Sequence, residues 1–426
     1  MPTAGRLTAL VATLCTAMAL TACGLPAPAP SGVGAAGPAG ASGTSRTAAM
    51  PAASSGQIAT ADNALGFSLL TRLAQAAPTG NVFLSAPSLA LDLGMLFNGA
   101  RGATATAMAR TMDLGALDAA QVNAGNAALL HSLQGSGSGV TLDVADALWA
   151  NRDLRLVPAF LRTAQADYGA SVSQANFASP STAGQINAWV DARTHGKIPS
   201  IVGEIPANTA LMLLNAVYFK GAWAAPFNPA RTRTATFTTA GGAALPVPLM
   251  SHTGIYPYAQ GKGFQAISLP YAGGRFSMEI VLPTAGLAGI RAALPSTWSG
   301  WQSALKPQDG TIELPRFTLT YSQQLASALS ALGMGPAFSS HADFSGLCGR
   351  ATGCQVSSVI QKTYLHVDEQ GTTATAATSI GVTTAVAIAQ HPRFVMDVNH
   401  PFLCAIIDDA TGLVLFAGYV NAPQAG

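Results

Sequence analysis

The chain has 426 residues, of which 21 are Lys or Arg and 19 are Asp or Glu, so only 9% carry formal charge and the net is +2. A globular chain averages roughly 25% charged residues, which excludes a solvated charged tail; with no Lys/Arg cluster there is no footprint for nucleic acid or a glycosaminoglycan. Hydrophobic residues make up 49% and mean hydropathy is +0.33, enough for one large core.

In chain order, Arg6 is the only charge before an uncharged run of 16 residues, Leu7 to Ala22. A spanning helix needs roughly 20 apolar residues, so the run reads as a signal peptide over residues 1–22. It ends in Leu20-Thr21-Ala22-Cys23, which resembles the bacterial lipobox and implies that Cys23 is lipidated and becomes the mature N-terminus. Residues 23–56 are almost entirely Ala, Gly, Pro, Ser and Thr and form a tether. The expectation is an exported protein held to a bilayer by acyl chains; Gly24 after the Cys resembles the pattern sorted to an outer membrane.

Residues 57–426 contain no second linker and are expected to form one domain. Leu65, Leu69 and Leu73 share a helical face, and 88–97 repeat the period. Strand-like runs follow at Val140–Ala150, Ala210–Phe219, Phe276–Leu282, Thr311–Thr320, Thr363–Val367, Phe402–Ile407 and Val414–Val420. Helices dominate early and strands late, which gives an α+β class with large antiparallel sheets. Cys348 and Cys354 bracket five residues, a spacing that suits a disulfide in an oxidising compartment. Cys404, inside an apolar run, reads as an inert buried thiol. No metal site or cofactor is expected.

Catalytic patterns are scarce. There is no Gly-x-Ser-x-Gly elbow or His-Glu-x-x-His helix, and Gly32-x-Gly34-x-x-Gly37 lies in the tether. Ser303-x-x-Lys306 matches the nucleophile motif of penicillin-binding enzymes without its companion motifs, and an exported hydrolase of that type is a remote alternative.

From Thr372 to Gln390 the chain has no charge and no aromatic residue. It is rich in Thr, Val and Ile and lacks Pro, a composition suited to a strand that can slot into a sheet. Glu369-x-Gly371-Thr372-x-Ala374-x-Ala376-Ala377-Thr378 resembles the reactive-loop hinge of the serpin family. Five further stretches resemble serpin blocks in order. They are Asn81–Ser88 with Asn98–Gly102, Gln185–Val190 with Thr194–Ile198, Asn215–Trp223 with Phe227, Leu314–Phe317 with Ala342–Gly346, and His400–Phe402 with Phe416–Val420.

The resemblance implies the serpin fold: three β-sheets, eight or nine helices and an exposed reactive-centre loop. It also implies a suicide inhibitor, in which the protease nucleophile acylates the loop and the freed loop inserts as a strand. Inserted side chains alternate, so Thr372, Ala374, Ala376 and Thr378 should enter the core; all are small and uncharged. This favours an inhibitor over a non-inhibitory serpin-fold substrate or binding protein. By motif, Trp223, Arg316 and Glu369 stand where the loop enters, and Ser85, Ser88 and Asn215 form the polar cluster that lets strands part. The family's Ser-Pro-x-Ser is here Ser85-Ala86-Pro87-Ser88, and Gln361 replaces a common His. In the family the cut usually falls fourteen positions beyond the hinge Gly, which gives Ala385-Val386. Such small residues suit elastase-like or subtilisin-like serine proteases, with papain-like cysteine proteases behind. A monomer is expected.

Overall fold

The computed structural model describes residues 55–134, 139–350, 353–372 and 393–424. Cys23, Ala374, Ala376, Thr378, Ala385 and Val386 lie outside the described residues. Helix α1 (Ser55–Ala76) begins two residues ahead of the domain start expected at 57 and buries Leu65, Leu69 and Leu73 on one face. Helix α2 (Ala86–Phe97) starts with Pro87 in its first turn, where a missing N–H costs nothing, and is buried over almost its whole length. Five more helices of ten or more residues follow: α3 (Gly102–Thr111), α4 (Ala119–Gln134), α5 (Pro158–Tyr168), α6 (Ser181–Arg193) and α7 (Leu287–Ala304). Three four-residue helical turns lie between Ala326 and Cys348.

Hydrogen bonding joins the strands into two networks. The first has the order β10 (Phe317–Gln324), β11 (Val356–Val367), β12 (Gly371–Thr372), β4 (Leu211–Ala222), β2 (Val140–Asn151) and β3 (Ser171–Ala175). The second runs β1 (Val82–Leu84), β15 (Leu413–Val420), β14 (Phe402–Asp408), β8 (Phe276–Pro283), β7 (Phe264–Pro270), β6 (Ala244–Gly261), β9 (Lys306–Pro315) and β13 (Phe394–Asp397), with β5 (Arg233–Thr238) also on β6. Three sheets were expected. The 18-residue β6 pairs β7 through its last four residues, and β9 and β5 through the rest, so two of the three run on as one network.

The expected single strand Thr311–Thr320 is two. Pro315 ends β9 in one network, the Arg316 amide donates to Pro248 O, and β10 begins in the other at Phe317. The chain therefore changes sheets at Arg316, which sets this side chain at the corner between them.

Strand β4 is buried over its first nine residues, the pattern of a strand covered on both faces. Met212, Leu214 and Ala216 pack beneath Ile186 and Val190 of α6. Val217 and Phe219 instead join Phe276, Phe416 and Leu365 in the core between the two networks. A third cluster joins α1, α2 and α7 to the inner ends of the strands.

Candidate functional site: the junction between β4 and β11

Strands β4 and β11 are parallel and directly paired from Leu211 opposite Val356 to Tyr218 opposite Tyr364. Beyond that point they part, and the chain returns between them. A turn over Asp368–Gln370 brings Gly371 and Thr372 back as β12, with Thr372 opposite both Val367 of β11 and Gly221 of β4, antiparallel to each.

Every carbonyl of this turn is engaged. Asp368 O accepts from Trp223 Nε1, Glu369 O from the Phe227 amide and Gln370 O from the Trp223 amide, at 2.8–2.9 Å. Asp368 Oδ1 accepts from the Gln370 and Gly371 amides. Burial opposes its charge, but those amides and His366 outweigh it and hold the carboxyl below its usual range. Gly371 is required by close approach, because a Cβ there would lie 2.1 Å from Gly221 O.

The side chains complete the seat. Glu369, buried, accepts from Thr232 Oγ1 at 2.7 Å and pairs with Arg316 at 3.6 Å. Trp223 stacks on Tyr271 with 4.7 Å between centroids and 8° between planes. Behind them Tyr271 Oη meets Thr372 Oγ1 at 2.6 Å, and Thr372 is wholly buried. Burial pushes the Tyr271 phenol well up, so it stays protonated. The structure thus gathers Trp223, Arg316, Glu369, Gly371 and Thr372 at one end of the junction.

Under its middle lie Ser85, Ser88 and Asn215. Gln361 is paired in register with Asn215. Its Nε2 donates to Ser85 O and Asn215 Oδ1, both at 2.7 Å, while its Oε1 accepts from the Ser85 amide. Gln361, which stands where the family commonly has a His, therefore bridges α2's N-terminus and β4. Asn215 Nδ2 lies within hydrogen-bond distance of Ser88 Oγ and Asp146 Oδ1, and 3.4 Å from Asp92 Oδ2.

Asp92, Asp146 and Tyr271 belong to the site although no motif singled them out. Asp92 had a signal: it is the one charged residue of α2, amid Leu and Ala.

Cys348 and Cys354 are joined as a disulfide. Cys404 is fully buried, and burial pushes its thiol up to about 12. Ser303 donates to Ser299 O of its own helix, so that hydroxyl meets no activating base. Among the described residues no group of three or more His, Cys, Asp or Glu is placed to hold a metal ion.

One network is thus a five-strand sheet with a sixth strand begun in its centre, over a buried polar cluster. The family model described as Serpin (serine protease inhibitor) matches residues 60–423. Iripin-8 of Ixodes ricinus is 34% identical over 381 residues, 86% of this chain and 94% of that protein. The leukocyte elastase inhibitor of Homo sapiens is 32% identical over 385 residues, 86% and 100% of the two chains. Among solved structures, human thyroxine-binding globulin complexed with its hormone superposes with a TM-score of 0.80 at 26% identity, covering 87% of this chain and 100% of that one. The chain belongs to the serpin family, whose fold it has and whose homologues include serine protease inhibitors.

Proposed function

We propose that this serpin is a suicide inhibitor of an extracellular serine protease of elastase-like or subtilisin-like preference. The observation that carries the reading is the position of Gly371–Thr372, already one strand-width between β4 and β11 with Thr372 buried. The residues that follow at alternate places, Ala374, Ala376 and Thr378, are small and uncharged, so nothing in them resists desolvation as the strand lengthens. Attack of the protease serine on the loop carbonyl gives an acyl-enzyme and releases the downstream chain.

Insertion then exchanges one parallel ladder for two antiparallel ones, since β12 is antiparallel to both neighbours. Parallel pairing is slightly the weaker per residue, and each new residue adds a second set of backbone hydrogen bonds. The uncleaved state is accordingly held by kinetics rather than by depth of minimum. Relatives named as elastase inhibitors and the small residues at Ala385-Val386 both suit a shallow apolar specificity pocket.

The lipobox-like Leu20-Thr21-Ala22-Cys23 and the tether to residue 56 support membrane attachment through lipid on Cys23. Such attachment would set the inhibitor on an extracytoplasmic face. The test of function is a gel. Mixing with an elastase-like protease should give a complex that survives boiling in SDS. Cleaved protein without complex would make it a substrate or binding protein on the same fold.

A further inference from the structure

We propose that Asp92 and Asp146 form a proton-held bolt on the sheet: while the pair keeps a carboxyl proton the junction stays shut, and its release to water favours entry of the loop strand. The inference rests on loop insertion as read above.

The donor inventory requires the proton. Asp146, Asn215 and Gln361 stand in one row across three neighbouring strands, in register. Ser88 Oγ donates to Asp146 Oδ1 at 3.0 Å, and Gln361 Nε2 has both hydrogens committed, to Ser85 O and Asn215 Oδ1. Asn215 Nδ2 has two hydrogens and faces three oxygens, those of Ser88, Asp146 and Asp92. Among the described residues Asp92 Oδ1, buried, has no hydrogen-bond partner. The donor still missing is a carboxyl proton. None of the ion pairs among the described residues includes either aspartate, so no cation takes its place.

The pair also spans the plane that must move. Asp92 and Ser88 belong to α2, while Asp146 and Asn215 travel with β2 and β4 when a strand enters between Asn215 and Gln361. Asp146 is only half-buried and, with Ser85 and Ser88, lines a cavity of about 1150 Å³. Burial pushes both carboxyls up, and for Asp92 the neighbouring Asp146 charge adds to the effect of burial. For Asp146, hydrogen bonds from Ser88 and Asn215 oppose the effect of burial, which brings it to about 8.

The sign follows from linkage. The closed state binds a proton that the opened, hydrated state gives up, so opening is disfavoured at low pH. It becomes easier as pH rises from the ordinary carboxylate range near about 4, and the effect levels off once the closed state has also lost its proton, above about 8. Other titratable or charged groups line the same cavity: His131 on α4, Asp143 on β2, Asp167 and Tyr168 on α5 and Arg193 on α6, with Asp62 on α1 acting on Tyr168. Lys362 of β11 is committed to Ser200 O.

The probe is a synthetic peptide with the sequence of residues 372–385, offered to the full chain between roughly pH 6 and pH 9, its uptake followed by native gel. The wild-type rate should rise about tenfold or more up to about pH 8 and then level. Asp146→Asn with Asp92→Asn should be flat within about twofold, and His131→Gln should keep the wild-type profile. A double variant that retains the rise overturns the proposal, as does a flat wild-type profile. Infrared difference spectra of wild type against each single variant supply the second readout. A protonated-carboxyl band at neutral pH lost with either Asn is expected, and its absence from both differences overturns the retained proton even if the double variant fails to fold. Failure of the peptide to enter at any pH, with no SDS-stable complex, would instead defeat the insertion reading itself.

Discussion

At its upper end the junction between β4 and β11 is already parted and filled by the chain's own turn, whereas in its middle the two strands are still paired residue by residue. The upper end is held by directed contacts of an ordinary kind: three backbone carbonyls on fixed donors, an ion pair at 3.6 Å and a stacked Trp–Tyr pair. The middle is held by a polar cluster that has no ion pair among the described residues and in which donors are scarce. On the proposed insertion, the first arrangement aligns the entering strand and the second resists its further entry. A loop-inserting inhibitor needs both, since premature insertion and failed insertion each abolish trapping.

The contrast can be broken most violently at Thr372. Thr372→Arg would bury a guanidinium against Tyr271 with no acid to meet it, at about 3–5 kcal/mol. SDS-stable complex should vanish and cleaved product should take its place on the gel. In the middle, Asn215→Ala strips Gln361, Ser88 and Asp146 of their common partner. That should cost about 2–3 kcal/mol in urea unfolding of the uncleaved form, while the loop-cleaved form, in which the Asn215–Gln361 pairing is already parted, should lose less.

Smaller changes sharpen the comparison. Tyr271→Phe removes one hydroxyl from Thr372 and should cost about 1 kcal/mol, visible as a faster release of the hinge in hydrogen exchange at Thr372. Asp368→Asn should cost about 0.5 kcal/mol at neutral pH. Its sign with pH is opposite to that of the middle: the depressed Asp368 carboxyl stabilises above the unfolded value near about 4 and loses that contribution as pH falls through its folded value. Asp92 and Asp146, with raised carboxyls, lose theirs as pH rises toward about 8. Acid should therefore loosen the upper turn, and mild alkali the middle.

The sequence made much of this legible because the fold's special positions need particular residues. Gly371 has no room for a side chain, and Trp223 and Glu369 hold the turn through atoms other residues lack, so they stand out in any reading of that segment. The corner at Arg316 was overlooked although its signal was present: Ile312 and Leu314 alternate in one phase and Phe317 and Leu319 in the other, with Pro315 at the break. Two of the three expected sheets join because β6 is long enough to serve both, which strand composition does not report. Asp92 was overlooked because a single acid in an apolar helix has no motif. Asp146 was overlooked because Asp143 and Asp146 both read as polar residues of a half-exposed strand.

The central claim is that the segment after Thr372 enters between β4 and β11. The crystal structure of the protein cut in its loop tests this most directly. The account predicts Ala374, Ala376 and Thr378 facing the core between the two strands, with Asn215 and Gln361 no longer neighbours. A cut protein in which Leu211–Tyr218 still pairs directly with Val356–Tyr364 would contradict it.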